Sequence, residues 1–153
     1  MNYEHTQRGR LQHILFAVAM VLLLGAWLAQ SQSAVMFFVL AVAVLFELVG
    51  LMFGSLTVRD EGEWLALRYG PLPVFRKRIR YADITAVEPG RTAIIDGWGI
   101  HYIIGRGWTY NLWGLSCVKL TLGRKVIRVG SDDVDNLTEF LRKRIKACRA
   151  GSP

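Results

Sequence analysis

Arginines at two-residue spacing are the side chains with the clearest binding chemistry in this chain. Arg76, Arg78 and Arg80 lie within one short basic segment, and Arg68 precedes them across a Gly-Pro-Leu-Pro break. Alternate residues of an extended strand share a face, so the three guanidinium groups would form a stripe roughly 13 Å long. Arginine favours bidentate contact with phosphate, and the stripe therefore predicts contact with anionic lipid headgroups. The alternative is a solvated charged face or a protected sheet edge.

An aromatic and glycine-rich segment, Gly97–Gly114, is the second candidate site. It contains Trp98, Trp108 and Asn111, which predict the rim of a site for a peptide or another ligand. In the alternative interpretation the aromatic rings fill a small core, while the glycines and Asn111 make turns. Both interpretations stay open on the sequence alone.

Two ionisable residues, His13 and Glu47, fall at the edge of or inside long apolar segments. Counted from the centre of the polar link between those segments, their depths differ by roughly three residues, or about 4.5 Å of helix rise. Ionisable residues inside a membrane are functional candidates, so one interpretation is a buried polar pair or a proton site. In the other, Glu47 snorkels to the surface, is protonated, or pins the two segments together through His13 or Gln12.

Catalytic and metal-binding patterns do not occur in the sequence. The three histidines are scattered, and Cys117 and Cys148 lack the spacing of zinc ligands. There is no phosphate-binding Gly-Lys-Ser/Thr motif and no nucleophile elbow. Asp132, Asp133 and Asp135 do not follow calcium-loop spacing and are explained by helix capping. We therefore expect a protein that is not an enzyme and has neither a cofactor nor a metal site.

The apolar residues are concentrated near the N-terminus. Hydrophobic residues make up 52% of the 153 residues, and the mean hydropathy is +0.29. After a short N-terminus (1–10), the segments 11–30 and 34–54 each approach the roughly 20 residues that cross a bilayer. The link between them carries no charge, whereas basic residues flank the pair, so we expect a transmembrane hairpin with both termini in the cytoplasm. A cleaved signal peptide is the competing interpretation of the first segment.

The remaining residues form a different pattern. From Ser55 onward, 99 residues carry 17 Lys+Arg and 10 Asp+Glu, a balance of +7. Short β-favouring runs between recurrent glycines predict about seven antiparallel strands over 55–149, in a small barrel or sandwich. Apolar residues at helical spacing (Val134, Leu137, Leu141 and Ile145) predict an amphipathic C-terminal helix that caps it. Residues 150–153 are expected to be a tail, and the fold class is a membrane-anchored α+β protein.

Four stretches of this domain resemble a known group of proteins. Tyr69–Pro73, Gly97–Ile100, Trp108–Asn111 and Ile127–Asp133 are similar to segments of uncharacterised bacterial membrane proteins with a pleckstrin-homology-like domain. The resemblance implies a short membrane hairpin and a cytoplasmic domain of seven strands and a C-terminal helix. It implies a multi-pass protein of the bacterial cytoplasmic (inner) membrane. It transfers no biochemical role, although a basic residue before a loop followed by Arg-x-Arg is similar to the headgroup-binding region of pleckstrin-homology domains.

Two functional hypotheses follow. In the first, the protein is a non-enzymatic membrane protein whose cytoplasmic domain binds anionic headgroups or a protein partner at the inner leaflet. In the second, it is an assembly subunit of a larger membrane complex, with the hairpin packing through Glu47 and His13 and the domain forming a homo-oligomer. Nucleic acid is not an expected partner, because the aromatic residues are not interleaved with the arginine cluster and the chain is tethered to a membrane.

Overall fold

Two long apolar helices lie near the start of the chain, and two β-sheets and a third helix follow them. A computed structural model describes residues 2–92 and 99–150. Its helices are α1 (Leu11–Leu28), α2 (Ser33–Met52) and α3 (Val134–Ala150). The strands of the described residues are β1 (Glu4–Arg8), β2 (Ser55–Glu61), β3 (Trp64–Gly70), β4 (Arg76–Arg80), β5 (Ala86–Arg91), β6 (Gly99–Ile103), β7 (Gly107–Asn111), β8 (Ser116–Leu122) and β9 (Lys125–Gly130). The predicted α+β class is confirmed at this level.

The first sheet is antiparallel, and its strands lie in the order β1-β2-β3-β4. The sequence predicts no strand in residues 1–10, yet β1 pairs with β2 from Glu4 opposite Arg59 to Arg8 opposite Ser55. The pattern hides this strand because it is short and polar and has no alternation of apolar residues. Since β1 leads into α1 and α2 leads into β2, the helical hairpin is inserted between two paired strands.

The second sheet is mixed, with the order β5-β8-β9-β7-β6. Strand β7 runs parallel to β9, from Trp108 opposite Ile127 to Tyr110 opposite Val129. The expectation of about seven antiparallel strands over 55–149 is close in number, since the described residues of that range form eight strands. It is wrong in orientation, because one pair is parallel, and a further strand, β1, precedes the range. The glycines at and before the start of β7 interrupt the alternation of apolar and polar residues, so the sequence pattern indicates turns there.

The hydrophobic core lies between the two sheets and α3. Leu137, Leu141 and Ile145 of α3 are buried against it, which confirms the amphipathic helix predicted from spacing. Tyr69 and Tyr81 are among the largest fully buried side chains. Burial raises the pKa of both phenols, and the hydrogen bond that Tyr81 donates to Asp60 raises its pKa further. Both phenols therefore stay neutral wherever the domain is folded at physiological pH.

The residues around β1 tie the N-terminus to α3. The hydroxyl of Tyr3 donates to Asp133 at 3.0 Å, and its ring stacks on Phe140 with 5.2 Å between centroids. The Nε2 atom of His5, a residue of β1, lies 2.6 Å from a carboxylate oxygen of Asp132. The first sheet and the start of α3 are thus joined through residues that precede the helical hairpin.

Helices α1 and α2 pack against each other through small side chains. The buried residues of the pair are Ala19 and Ala26 on α1 and Ala43 and Gly50 on α2. A Cβ atom at Gly50 would come within 2.7 Å of the ring of Phe16, so a larger residue at this point would require that ring to move.

The outer surface of the same helices is apolar. Its most exposed large residues are Met20, Val21, Leu28, Phe37 and Phe38. Both helices are long and apolar enough to cross a bilayer. An α-helix that is hydrophobic on all sides needs an apolar environment around it, and the described residues bury little of either helix beyond the contact between the two.

Candidate functional site

The arginine stripe lies on β4, the edge strand of the first sheet. Arg76 is opposite Arg68 of β3, and Arg80 is opposite Trp64. Arg76, Arg78 and Arg80 are all exposed, as their alternation along a strand predicts, while Ile79 between them is buried. The structure therefore brings all four predicted arginines onto neighbouring positions of two paired strands.

Two glutamates that sequence reasoning missed neutralise part of this stripe. Glu61 forms ion pairs with both Arg68 and Arg78, the latter at 2.8 Å. Glu63 lies 3.7 Å from Arg80, whose guanidinium also sits 5.8 Å from the centre of the Trp64 ring. Both glutamates flank Gly62 in the turn between β2 and β3, and only the strand register shows that this turn faces the arginines.

Arg76 differs from the other arginines of the stripe. Its Nε donates to the carbonyl oxygen of Pro73 at 3.2 Å, and it forms no ion pair with any described residue. It also lies at the end of β4 nearest the helical hairpin. Arg76 pairs with the end of β3, and the end of β3 pairs with the start of β2, where Ser55 is opposite Gly70 and the hairpin ends. The stripe runs away from the hairpin toward Arg80, over about 13 Å.

The loop between β3 and β4 contacts the end of the helical hairpin. The backbone N–H of Leu72 donates to the carbonyl oxygen of Leu51 at 3.2 Å. Phe53, just after α2, places its ring 5.3 Å from that of Phe75 and 5.4 Å from that of Tyr69.

This loop also presents apolar side chains to the outside. Leu72, Val74 and Phe75 are exposed by 40%, 58% and 36%. The Gly-Pro-Leu-Pro sequence predicts a break in the chain there, but not that the break lies beside the helices. The loop therefore brings exposed apolar side chains next to Arg76, at the end of the apolar hairpin.

The predicted aromatic rim is only partly assembled. Trp108 is 44% exposed and lies beside Tyr102, with 5.5 Å between ring centroids. Asn111 is fully buried, and its amide donates to the carbonyl oxygen of Gly114 at 2.9 Å, so it holds a turn and does not reach a surface. Trp98 falls outside the described residues.

Contacts between the helices fix how deep each residue lies in the hairpin. Gly50 lies against Phe16, and Gly54 lies against the side-chain oxygen of Gln12. In each pair the two residue numbers add to the same total, which sets the antiparallel register of α1 against α2.

This register separates His13 from Glu47. Glu47 is level with Ala19, so it lies about six residues, or about 9 Å, deeper than His13. The sequence count gives a smaller difference in depth because it takes the middle of the polar link as the turning point of the hairpin. The observed register places that turning point closer to α2. Among the described residues, neither the side chain of His13 nor that of Glu47 forms a hydrogen bond or an ion pair. The structure therefore keeps His13 and Glu47 apart, unlike the interpretation in which Glu47 pins the two segments through His13.

Metal-ligating side chains are not grouped in the described part of the chain, where no three His, Cys, Asp or Glu residues could hold one ion. Cys117 is buried, and Cys148 is partly buried on α3. Comparison with known proteins gives no match to a family model and no match to a curated protein. The architecture that carries the site is thus an α+β domain with two apolar helices inserted between its first two strands.

Proposed function

We propose that this protein is a non-enzymatic, multi-pass protein of the bacterial inner membrane whose pleckstrin-homology-like domain contacts anionic headgroups on the cytoplasmic side. The helices α1 and α2 form the transmembrane hairpin, and both chain termini lie in the cytoplasm. The contact is centred on Arg76 and Arg68, at the hairpin end of the sheet. Arg78 and Arg80 lie farther from the hairpin, and their ion pairs with Glu61 and Glu63 neutralise part of their charge.

The observation that carries this proposal is the position of the β3–β4 loop. It places exposed Leu72, Val74 and Phe75 beside the end of α2, with Arg76 next in the chain. Apolar side chains at this level enter the headgroup region, while the guanidinium stays among the phosphates. Each basic residue close to an anionic leaflet contributes about 1 kcal/mol to such a contact. The insertion of the hairpin between β1 and β2 supports the same arrangement, because it leaves no linker that would let the domain move away.

Depth-dependent quenching in nanodiscs tests the contact. The full chain with Val74→Cys in a Cys148→Ser background is labelled with a fluorophore and placed in phosphatidylcholine discs, with or without phosphatidylglycerol. We expect a headgroup-attached quencher to act strongly at residue 74 and weakly at a label on Glu63→Cys. Arg76→Glu changes two charge units, so it should weaken the contact by about 2 kcal/mol in anionic discs.

Arg80→Glu is the matched control for this test. It makes the same change of charge on the same strand, but about 13 Å farther from the hairpin, beyond the screening length of roughly 8 Å at physiological salt. We expect it to leave the quenching at residue 74 almost unchanged. Equal quenching at residues 74 and 63, or equal effects of the two charge reversals, would contradict the proposal.

A second candidate function is assembly through the hairpin, and Glu47 favours it. This carboxyl group lies deep in α2 and has no polar partner among the described residues. An ionisable group in hydrocarbon is stabilised by a polar partner, which a second copy of the hairpin can supply. If so, Glu47→Leu should convert an oligomer to a monomer in light scattering of detergent-solubilised protein. Val44→Leu, at an exposed position about one turn away, should leave the oligomer intact, and an oligomer that survives Glu47→Leu would exclude this role.

A further inference from the structure

A second charged surface lies away from Arg76, around a cavity of about 380 Å³. Its walls come from three elements: the edge of β4, the β6–β7 hairpin and the β8–β9 hairpin. The cations in these walls are Lys77, Arg106, Arg124 and Lys125, and none of the described residues that line the cavity is acidic. Sequence analysis does not single out this group, because its members lie far apart in the chain and meet only through the fold.

The cations of this cavity differ from four other cations of the domain. Arg59, Arg78, Lys119 and Lys143 each have a carboxylate partner within 4 Å. Lys77, Arg124 and Lys125 form no ion pair with any described residue. Three unpaired cations around one concave surface repel one another and attract a multiply charged anion.

The cavity also has an aromatic wall. Tyr102 is 58% exposed and Trp108 is 44% exposed, and their rings are tilted by 57°. Trp108 also stacks with the largely buried Tyr110, at 6.3 Å between centroids, which supports the indole. An exposed and supported aromatic ring is a stacking platform for a planar ligand.

The β6–β7 turn beside the cavity has a specific backbone conformation. Gly105 and Gly107 have φ angles of +77° and +86°, a conformation that other residues rarely adopt. Arg128 donates a hydrogen bond to the carbonyl oxygen of Arg106 and thereby fixes the β6–β7 turn against β9. The site is therefore formed by ordered strands and a braced turn.

We propose that this cavity binds a soluble phosphorylated molecule with a planar ring, a ligand of the nucleotide class. The phosphates lie among Lys77, Arg124 and Lys125, and the ring packs on Trp108 and Tyr102. The cavity volume is within the range of small-molecule sites, roughly 300–1,000 Å³. This site is independent of the headgroup contact at Arg76, since the two surfaces use different residues.

Equilibrium dialysis of the full chain in neutral detergent tests the proposal, with ADP and inorganic pyrophosphate as probes at about 0.15 M salt. We expect saturable binding of both probes. Arg124→Ala combined with Lys125→Ala should weaken both by at least about tenfold, as the loss of 1.4 kcal/mol or more does. Trp108→Leu should weaken ADP by a similar factor and leave pyrophosphate unchanged. Tyr102→Leu, at a more exposed position, repeats the comparison if Trp108→Leu lowers the unfolding temperature.

Lys143→Ala combined with Lys146→Ala removes the same charge from the exposed face of α3 and serves as the control. It should leave both affinities unchanged. The proposal is overturned if neither probe binds saturably, if the control weakens binding as much as the cavity variant, or if both Trp108→Leu and Tyr102→Leu leave ADP affinity intact. Repeating the ADP measurement in nanodiscs separates the two sources of phosphate. Equal affinity in phosphatidylcholine and phosphatidylglycerol discs supports a soluble ligand, whereas loss of ADP binding only in phosphatidylglycerol assigns the cavity to a lipid headgroup.

Discussion

Replacing Gly107 with alanine is expected to destabilise the domain by about 2–4 kcal/mol. Two costs add at this position. The φ angle of +86° is strained for any residue with a Cβ atom, which costs about 1 kcal/mol or more. The added Cβ atom would also lie 2.2 Å from the carbonyl oxygen of Val126, a backbone atom that cannot move aside like a flexible side chain. The effect is large because the whole stability of a domain this size is about 5–15 kcal/mol.

Gly105→Ala is the matched control. Gly105 has a similar φ angle of +77°, but no atom of the described residues lies within 4 Å of an added Cβ atom. The Gly105→Ala variant should therefore be less stable by the conformational cost alone, about 1 kcal/mol. Thermal unfolding of the two variants in the same detergent separates the costs. Equal losses would mean that β7 can move away from β9, and that the close approach of these strands does not constrain the sheet.

Local patterns predict the helices of this protein well. The apolar segments of α1 and α2 and the spaced apolar residues of α3 each occupy one continuous stretch, so the periodicity of the side chains is visible without the fold. The strand count is less accessible. β1 has no apolar alternation and depends on a partner on the far side of both helices, and β7 pairs in parallel with a strand two elements later.

The candidate site shows the same division. Spacing correctly places Arg76, Arg78 and Arg80 on one exposed face of a strand. The neutralising position of Glu61 depends on the register between three strands, which the spacing does not contain. Asn111 is a residue that the sequence pattern places in the site and the structure does not. A polar residue among aromatic residues has the same pattern whether it is exposed at a binding rim or, as here, buried in a turn.

The inserted hairpin leads to the second prediction with a large effect. If residues 2–9 are joined through an Asn-Gly turn to residues 54–150, we expect a folded domain that is soluble without detergent. The geometry allows this closure because the N–H of Gly9 donates to the carbonyl oxygen of Gly54 at 3.1 Å, at the open end of the β1–β2 ladder. Asn-Gly is the preferred two-residue connection for such a pair of strands.

The chain that starts at Ser55 is the informative comparison, since it lacks β1 but keeps every later strand. It loses the ladder with β2, the stacking of Tyr3 on Phe140 and the hydrogen bond from Tyr3 to Asp133. It also exposes the edge of β2, and an unpaired edge promotes association between chains. We expect the unfolding temperature of this shorter chain to be lower by more than about 10 °C, since a loss of 1 kcal/mol lowers it by about 4–8 °C, and size-exclusion chromatography to show aggregates. If the two chains are equally stable and monomeric, β1 contributes little. The short N-terminal segment would then serve only to lead into the first helix, whereas the expected difference would make it a structural part of the domain that the hairpin interrupts.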